Sequence, residues 1–504
     1  MKKKPNPLSM DPQVLQEMVL ALQSKVTDLE LKNQHLLEQF RLAQQKRFGR
    51  SSEAHPAQDD LFNEAEAEFE KIEPKTQEIS YTRNKAVRQK LPADLPREII
   101  THDLTESEKT CDCCGEHMHK MGEERSEKLE FIPAVVKVIE HVRPKYGCRQ
   151  CEKQSTEVKI KIAPVPPSII PRSIATPSLL AQIITSKYQY SLPLYRQESL
   201  FKQYGINLSR QTMSDWMIKC STLFKPLYDY LRLQLLKQPV IYADETTLKV
   251  IQENRSKCYM WVYCSGADSR GDSVISNIVL YDYNKGSRSS QAVIDYLDGY
   301  DGYLQVDGYP GYNKVDATLV GCWAHVRRPF KEAKAKQPQG GIGKADWALN
   351  QIQKLYRIET AIKHCTPDEK YRVRQNKSVP LLDEFKKWLD KSAIHTPPTT
   401  AVGKPIHYAL NQWEKLIRYV KNGHLDIDNN RAERAVKPFV IGRKNWMFSN
   451  TGNGAQASAV LYSIVETAKA NGLVPYDYIR HCLEHLIHEP DNLDAIVPWN
   501  VKLD

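Results

Sequence analysis

Three acidic residues, Asp244, Asp307 and Glu433, have surroundings suited to gripping divalent cations. Asp244 closes the apolar run Val240-Ile241-Tyr242-Ala243 and is followed by Glu-Thr-Thr, and Asp307 closes Tyr303-Leu304-Gln305-Val306 and is followed by Gly-Tyr-Pro-Gly-Tyr. Glu433 belongs to DNNRAERAVKPF, whose spacing is helical. Two acids at strand ends and a third on a later helix can converge although long stretches of chain separate them. Magnesium takes oxygen ligands and is usually held by one or two carboxylates together with substrate phosphate oxygens. A pair of such ions, Mg2+ or Mn2+, activates an attacking hydroxyl and neutralises charge on a leaving oxygen, so the trio points to metal-assisted phosphoryl transfer.

Neighbouring residues qualify that assignment. Asn430 and Lys437 share the helical face of Glu433, Lys437 in reach of a phosphate and Asn430 able to orient a ligand or nucleotide. Asp426 and Asp428 are rivals for the third position, but they precede the helix, where acids commonly cap the first turn and complement the dipole. Glu245 is expected on the opposite strand face from Asp244. His325, in Cys322-Trp323-Ala324-His325-Val326-Arg327-Arg328, follows a strand and is either a substrate contact or a structural histidine.

The elements that must position these acids follow from periodicity. Asp244 closes a first strand, Cys258 to Cys264 and Val274 to Tyr283 alternate as the second and third, Ser289 to Leu297 is helical, Asp307 closes a fourth, and Thr318 to Trp323 is a fifth. A meander, a helix and returning strands make a mixed sheet with helices, so the expected class is multidomain α+β with an RNase-H-like core over residues 226–448. The Lys-rich, helix-patterned stretch at about 331–423 reads as an insertion in that core, and 449–504 as a C-terminal helical element. Neither a Walker nor a Rossmann glycine loop is present, which argues against ATP or NAD dependence.

Upstream lie three further modules and a linker. Leu15, Leu22, Leu29, Leu36 and Ala43 recur every seventh residue, with Val19, Val26, Asn33 and Phe40 on the second seam. That pattern predicts a parallel two-stranded coil within 1–50, hence a homodimer or higher oligomer, with an amphipathic helix packed on its own protein as the alternative. Residues 51–100 read as a linker. Within 101–163, Cys111-x-x-Cys114 and Cys148-x-x-Cys151 have the spacing of a structural Zn2+ ribbon, and the alternation from Phe131 to Arg143 reads as its strands. Cys113, His117 and His119 compete as ligands of the first pair.

Residues 164–225 hold a candidate helix-turn-helix. Pro193 to Lys202 reads as one helix, Gly205 breaks it, and Ser209 caps a second that runs through Cys220 with Met213, Trp216 and Met217 inward. Arg210, Gln211, Ser214 and Lys219 then face outward, as major-groove contacts must, and Arg327, Arg328 and Lys437 are further candidate DNA contacts. A helical hairpin without a DNA role has the same local pattern. The formal net charge of +10 over 504 residues favours a polyanionic partner. Eleven cysteines, an odd number, suit a reducing compartment, and Met1-Lys2-Lys3-Lys4 runs into Pro-Asn-Pro rather than an apolar signal core. A cytoplasmic, nucleoid-associated protein with no membrane span is expected.

Taken together, these motifs resemble those of a bacterial DDE transposase of the insertion-sequence sixty-six family, over nearly the full length. The resemblance is carried by RFGRSSE at Arg47 to Glu53, the cysteine pairs, LPLYRQ at Leu192 to Gln197, YADET at Tyr242 to Thr246 and VDGYPGY at Val306 to Tyr312. GCWAHVRR at Gly321 to Arg328, DNNRAER at Asp428 to Arg434 and SNTGNGAQASAVLYSIVETAKANGL at Ser449 to Leu473 complete it. It implies zinc binding near the N-terminus, recognition of the element's ends by a helix-turn-helix, and cutting and strand transfer by a magnesium-dependent triad at Asp244, Asp307 and Glu433. It also implies small accessory proteins from the same element. The extra thiol in Cys111-Asp112-Cys113-Cys114 departs from the pattern and leaves the zinc ligand set open. A DNA-binding regulator and a non-transposing RNase-H-type nuclease are the rival readings.

A purified fragment spanning residues 100–165 is expected to carry one zinc ion per chain by elemental analysis; a metal-free fragment that is nonetheless folded would remove the ribbon.

Overall fold

The computed structural model describes residues 136–147, 160–255, 257–266, 276–336 and 343–503. The coil, the linker and Cys111, Cys114, Cys148 and Cys151 lie outside them. The described residues belong to two compact units that meet in sequence between Pro164 and Val165.

In the first unit, β1 (Lys145–Gly147) pairs antiparallel with β2 (Ile160–Ile162), Tyr146 lying opposite Lys161. Arg143 Nη1 donates to the Ala163 carbonyl at 2.9 Å and closes the open end. The alternation expected to continue as strand through Arg143 does not pair over 136–144, and Val138 is 93% exposed. The ladder starts only after Pro144, which has no N–H to give it.

The second unit opens with α1 (Pro177–Tyr188), α2 (Leu194–Gln203) and α3 (Arg210–Leu235). Thr176 caps α1 by accepting from Leu179 N, and Ser209 caps α3 by accepting from Thr212 N at 3.1 Å. Pro193 is the cap of α2 rather than a first-turn residue, and Gly205 takes φ +74 to release the chain from that helix. Met213, Trp216 and Met217 are buried as expected, but α3 runs well past Cys220. Phe224, Leu227, Tyr228, Leu231 and Leu235 continue its apolar stripe at helical spacing, across the internal Pro226.

The sheet comprises β3 (Val240–Leu248), β4 (Cys258–Ser265), β5 (Ile278–Asp282), β6 (Tyr303–Gln305) and β7 (Thr318–Val320), ordered β5-β4-β3-β6-β7. Pairs β5/β4 and β4/β3 are antiparallel, and β3/β6 and β6/β7 are parallel. Helix α4 (Ser290–Tyr296) lies between β5 and β6, as a parallel return requires. Three strand ends differ from the sequence expectation. Asp244 sits mid-strand, because the ladder continues through Thr246 opposite Met260 to Leu248 opposite Cys258. Asp307 lies two residues past β6, and Trp323 is helical because Gly321 N turns away to the Lys415 carbonyl.

Beyond β7 come α5 (Trp323–Ala335), α6 (Lys344–Ala361), α7 (Pro367–Val373), α8 (Val379–Ile394) and α9 (Gly403–Leu416), with a π-turn Arg374–Ser378 between α7 and α8. The chain then returns to the sheet in α10 (Asn430–Trp446) and α11 (Gly452–Ala470), and α12 (Pro475–His488) packs on α1 and α11. The edge strand β5 is buried from Ile278 through Tyr281 instead of alternating, and α11 is the reason. Thr467 Oγ1 accepts from Val279 N at 3.1 Å and donates to Val279 O at 2.8 Å, while Ser463 Oγ accepts from Tyr281 N at 2.8 Å. Helix hydroxyls thus supply the bonds a further strand would have made, and the edge is closed.

Thr467→Val keeps the shape but orphans both Val279 backbone groups, so the urea-unfolding stability should fall by about 1–3 kcal/mol. An unchanged transition would mean that α11 covers the edge by packing alone.

Candidate active site

Strand β3 alternates, so Tyr242, Asp244 and Thr246 share one face and Ala243 and Glu245 the other. Helix α10 lies against β3: Arg443 Nη1 reaches Thr246 Oγ1 at 3.2 Å, and Asn429, just before the helix, donates Nδ2 to Ala243 O at 2.8 Å. The start of the Glu433 helix is therefore tied to the residue beside Asp244.

The loop leading into α10 is held from three directions. Buried Gln305, the last residue of β6, donates to Asp426 O at 2.7 Å and Asp428 O at 2.8 Å and accepts from Asp426 N at 3.3 Å. Tyr242 OH donates to Asp426 Oδ2 at 2.7 Å, and Trp323 N to Ile427 O at 3.1 Å. From the helices after β7, Arg374, 1% exposed, clasps Glu359 with Nε and Nη2 at 2.9 and 2.6 Å and donates to the carbonyls of Tyr419, Asn422 and Leu425. Leu425 immediately precedes Asp426, so this guanidinium fixes the approach to the site.

These bonds separate the acids by role. Asp426 is held by Tyr242. Asp428 accepts from Tyr356 OH at 3.0 Å and from Asn430 N at 3.1 Å, the helix-start role expected of it. Asn430, read from sequence as a possible ligand-orienting group, is buried and donates Nδ2 to Asp428 Oδ2 at 2.9 Å. Both oxygens of Glu245 are engaged, Oε1 by Arg288 and Oε2 by Tyr312 OH at 3.0 Å. Glu433 differs from all of them: it is 5% exposed, and neither Oε1 nor Oε2 has a hydrogen-bond partner.

Asp307 stands in a turn that it helps to make, its Oδ1 accepting from Tyr309 N at 2.8 Å. Arg288 braces that turn by stacking on Tyr309, 4.1 Å from the ring centroid. At Gly308 the absence of a Cβ leaves room for Tyr408 OH, which would lie 2.5 Å from one.

Asp244 feels the charges of Asp307 and Glu433, and Glu433 feels that of Asp307. Burial pushes the Asp244 carboxyl well above the usual carboxylate range, and the negative charges of Glu245, Asp307 and Glu433 add to the rise. Burial likewise raises Glu433 to about 7, against the pull of Arg328 and with Asp428 and Asp307 pushing it up. Mutually repelling carboxylates, Asp244 and Asp307 half-buried and Glu433 buried without any hydrogen-bond donor, form a hard oxygen donor set that fits a divalent cation such as Mg2+. His325 Nδ1 lies 3.5 Å from Glu433 Oε1, and burial lowers the imidazole's affinity for a proton.

The other sequence candidates divide by exposure. On α3, Arg210, Gln211 and Lys219 are exposed and Ser214 is half-buried, with Gln211 Nε2 donating to Asp215 Oδ1 at 3.3 Å. Arg328 is exposed and Lys437 half-buried. Arg327 is a correction: at 9% exposed, on the side of α5 turned toward Tyr356, it belongs to the interior and not to a DNA-facing surface. Sequence reasoning missed Gln305, Asn429 and Arg374, although a lone amide in the apolar run of β6 was a visible signal.

Among the described residues, no helix is long and apolar enough to cross a membrane. Residues 172–457 match the family model described as "Transposase IS66 family". Residues 108–152 match "zinc-finger binding domain of transposase IS66", which supports a structural zinc, 35–100 match "Transposase C of IS166 homeodomain", and 463–499 match "IS66 C-terminal element". Among curated relatives, "Uncharacterized protein y4hP" of Sinorhizobium fredii is 31% identical over 446 residues, 84% of this chain and 78% of the relative. "Uncharacterized protein y4jD" of the same organism is 31% identical over 432 residues, 82% of each chain. With more than half of its length matched by the first model, the chain belongs to the transposase IS66 family.

Proposed function

We propose that this transposase binds the ends of its insertion sequence and cuts and joins DNA strands at the cluster of Asp244, Asp307 and Glu433. The observation that carries the reading is the buried Glu433 carboxylate, which has no hydrogen-bond partner and lies in the field of two other acids. The sheet order, a three-strand antiparallel meander continued by two parallel strands, supports an RNase-H-like core.

Asp244, held rigidly in a central strand, and Asp307, held in its turn, are the residues that would carry two Mg2+ or Mn2+ ions, with Glu433 completing one of them. When bound, such ions supply acidity to the attacking oxygen and offset charge on the leaving one. The protein's own work is positioning. A water oxygen attacks the end phosphorus in line, the bond to the 3′ oxygen breaks, and the freed 3′-hydroxyl attacks a target phosphodiester in the same geometry. His325 lies beside Glu433, its Nδ1 3.5 Å from Oε1. Arg328 and Lys437 follow substrate phosphates at the site, and Arg210, Gln211, Ser214 and Lys219 on α3 meet the element's ends.

Cys111, Cys114, Cys148 and Cys151 hold the structural zinc in this reading. The heptad segment pairs two copies so that both ends are handled together, accessory proteins of the element join them, and the assembly works on the nucleoid in the cytoplasm.

Asp244→Asn is expected to abolish metal-dependent nicking of end-bearing DNA while retaining end binding in gel-shift assays; nicking at the wild-type rate would refute the assignment. The same change should stabilise the metal-free protein. Because Glu433 rises from 4.5 to about 7 on folding, its contribution to stability is complete below pH 4.5 and is lost as pH climbs through about 7. Thermal melts without metal should therefore fall over that window, and Mg2+ should reverse the loss in the wild type but not in Asp244→Asn.

A further inference from the structure

The sequence GCWAHVRR places a thiol and an imidazole beside the acid cluster, and phosphoryl transfer by carboxylate-held ions has no use for the thiol. Cys322 is the residue just before α5, and His325 lies in its first turn, so the two face the same way. Glu433 reaches them from the first turn of α10. One ligand atom from each, the Cys322 sulfur, a His325 ring nitrogen and a Glu433 carboxylate oxygen, all lie within 4.8 Å of one another. The two helix starts are fastened together by Asn429 N donating to Cys322 Sγ at 3.2 Å and Trp323 N to Ile427 O at 3.1 Å. Two atoms of the set are unsatisfied: the buried carboxylate of Glu433 and His325 Nδ1 have no hydrogen-bond partner.

Sulfur, nitrogen and oxygen donors at that separation are not a magnesium set. Three protein ligands with a fourth position left for water is the arrangement Zn2+ accepts, and thiolate with imidazole selects zinc-like transition ions over Mg2+. We infer that Cys322, His325 and Glu433 form a second metal site, for a zinc-class ion, that shares Glu433 with the Asp244–Asp307 pair and so antagonises the magnesium-dependent reaction. Glu433 stands between a hard donor set and a soft one. A zinc-class ion anchored by the thiolate and imidazole withdraws the carboxylate from Asp244 and Asp307. The antagonism rests on the catalytic reading above; the binding itself does not.

The test uses the full-length protein with its structural zinc in place, titrated with Co2+ in the absence of DNA. One further equivalent should bind with the near-ultraviolet absorption of a cobalt–thiolate bond. That band should vanish in Cys322→Ser, and the affinity should fall by more than about tenfold in His325→Ala. A wild type that takes up no further cobalt, or a band of unchanged affinity in Cys322→Ser, overturns the site. If Cys322→Ser does not fold, His325→Ala decides alone, and wild-type affinity there overturns it.

In a second arm, Zn2+ is added to Mg2+-supported nicking and each protein is compared with its own zinc-free rate. Zinc should suppress the wild type at concentrations that leave His325→Ala active. Equal sensitivity of the two overturns the antagonism. A wild type that never nicks with Mg2+ instead removes the catalytic reading, while the cobalt titration still reports on the site.

Discussion

Burying a carboxylate that no donor satisfies is among the costlier things a fold can do, and Glu433 is such a group, with Asp244 and Asp307 near enough to raise the cost further. Left to itself, the cluster would move apart or open to water. What prevents this is a set of bonds that hold the backbone around each acid without touching the Glu433 oxygens. Asp244 is locked mid-ladder in β3, Asp307 is locked by its own turn, and Glu433 rides on a helix whose start is pinned to both neighbouring strands. A divalent cation is the natural compensation for such an arrangement, and the catalytic proposal follows from that balance.

The helices after β7 take part in this constraint. A sheet with α10 packed on it would be complete without them, yet they supply Arg374, which grips three carbonyls on the approach to Asp426, and Tyr356, which holds Asp428. Removing the guanidinium would strand the partly buried Glu359 and loosen the chain immediately ahead of the site. The helices between β7 and α10 are thus coupled to the position of Glu433 through a few named bonds.

Much of this was legible in the sequence. The meander, the α4 crossover and the burial of Met213, Trp216 and Met217 follow from periodicity, because each element has one apolar face with a clear repeat. Strand ends were less readable. Asp244 looked like a terminus because polar residues follow it, but Thr246 and Thr247 are good strand formers, and the ladder runs on to Leu248. The length of α3 beyond Cys220 is not readable locally, because Pro226, a residue that usually stops a helix, lies inside it. Arg327 reads as a DNA contact in the sequence, whereas its burial depends on the helices packed around α5. The bonds of Gln305, Asn429 and Arg374 connect residues far apart in the chain, and no local pattern announces such partners.

The most direct measurement is anomalous diffraction from crystals grown with Mn2+. Manganese peaks are expected within bonding distance of carboxylate oxygens of Asp244, Asp307 and Glu433. Manganese bound instead through Asp426, Asp428 or Glu245, with Glu433 left without a metal contact, would contradict that expectation.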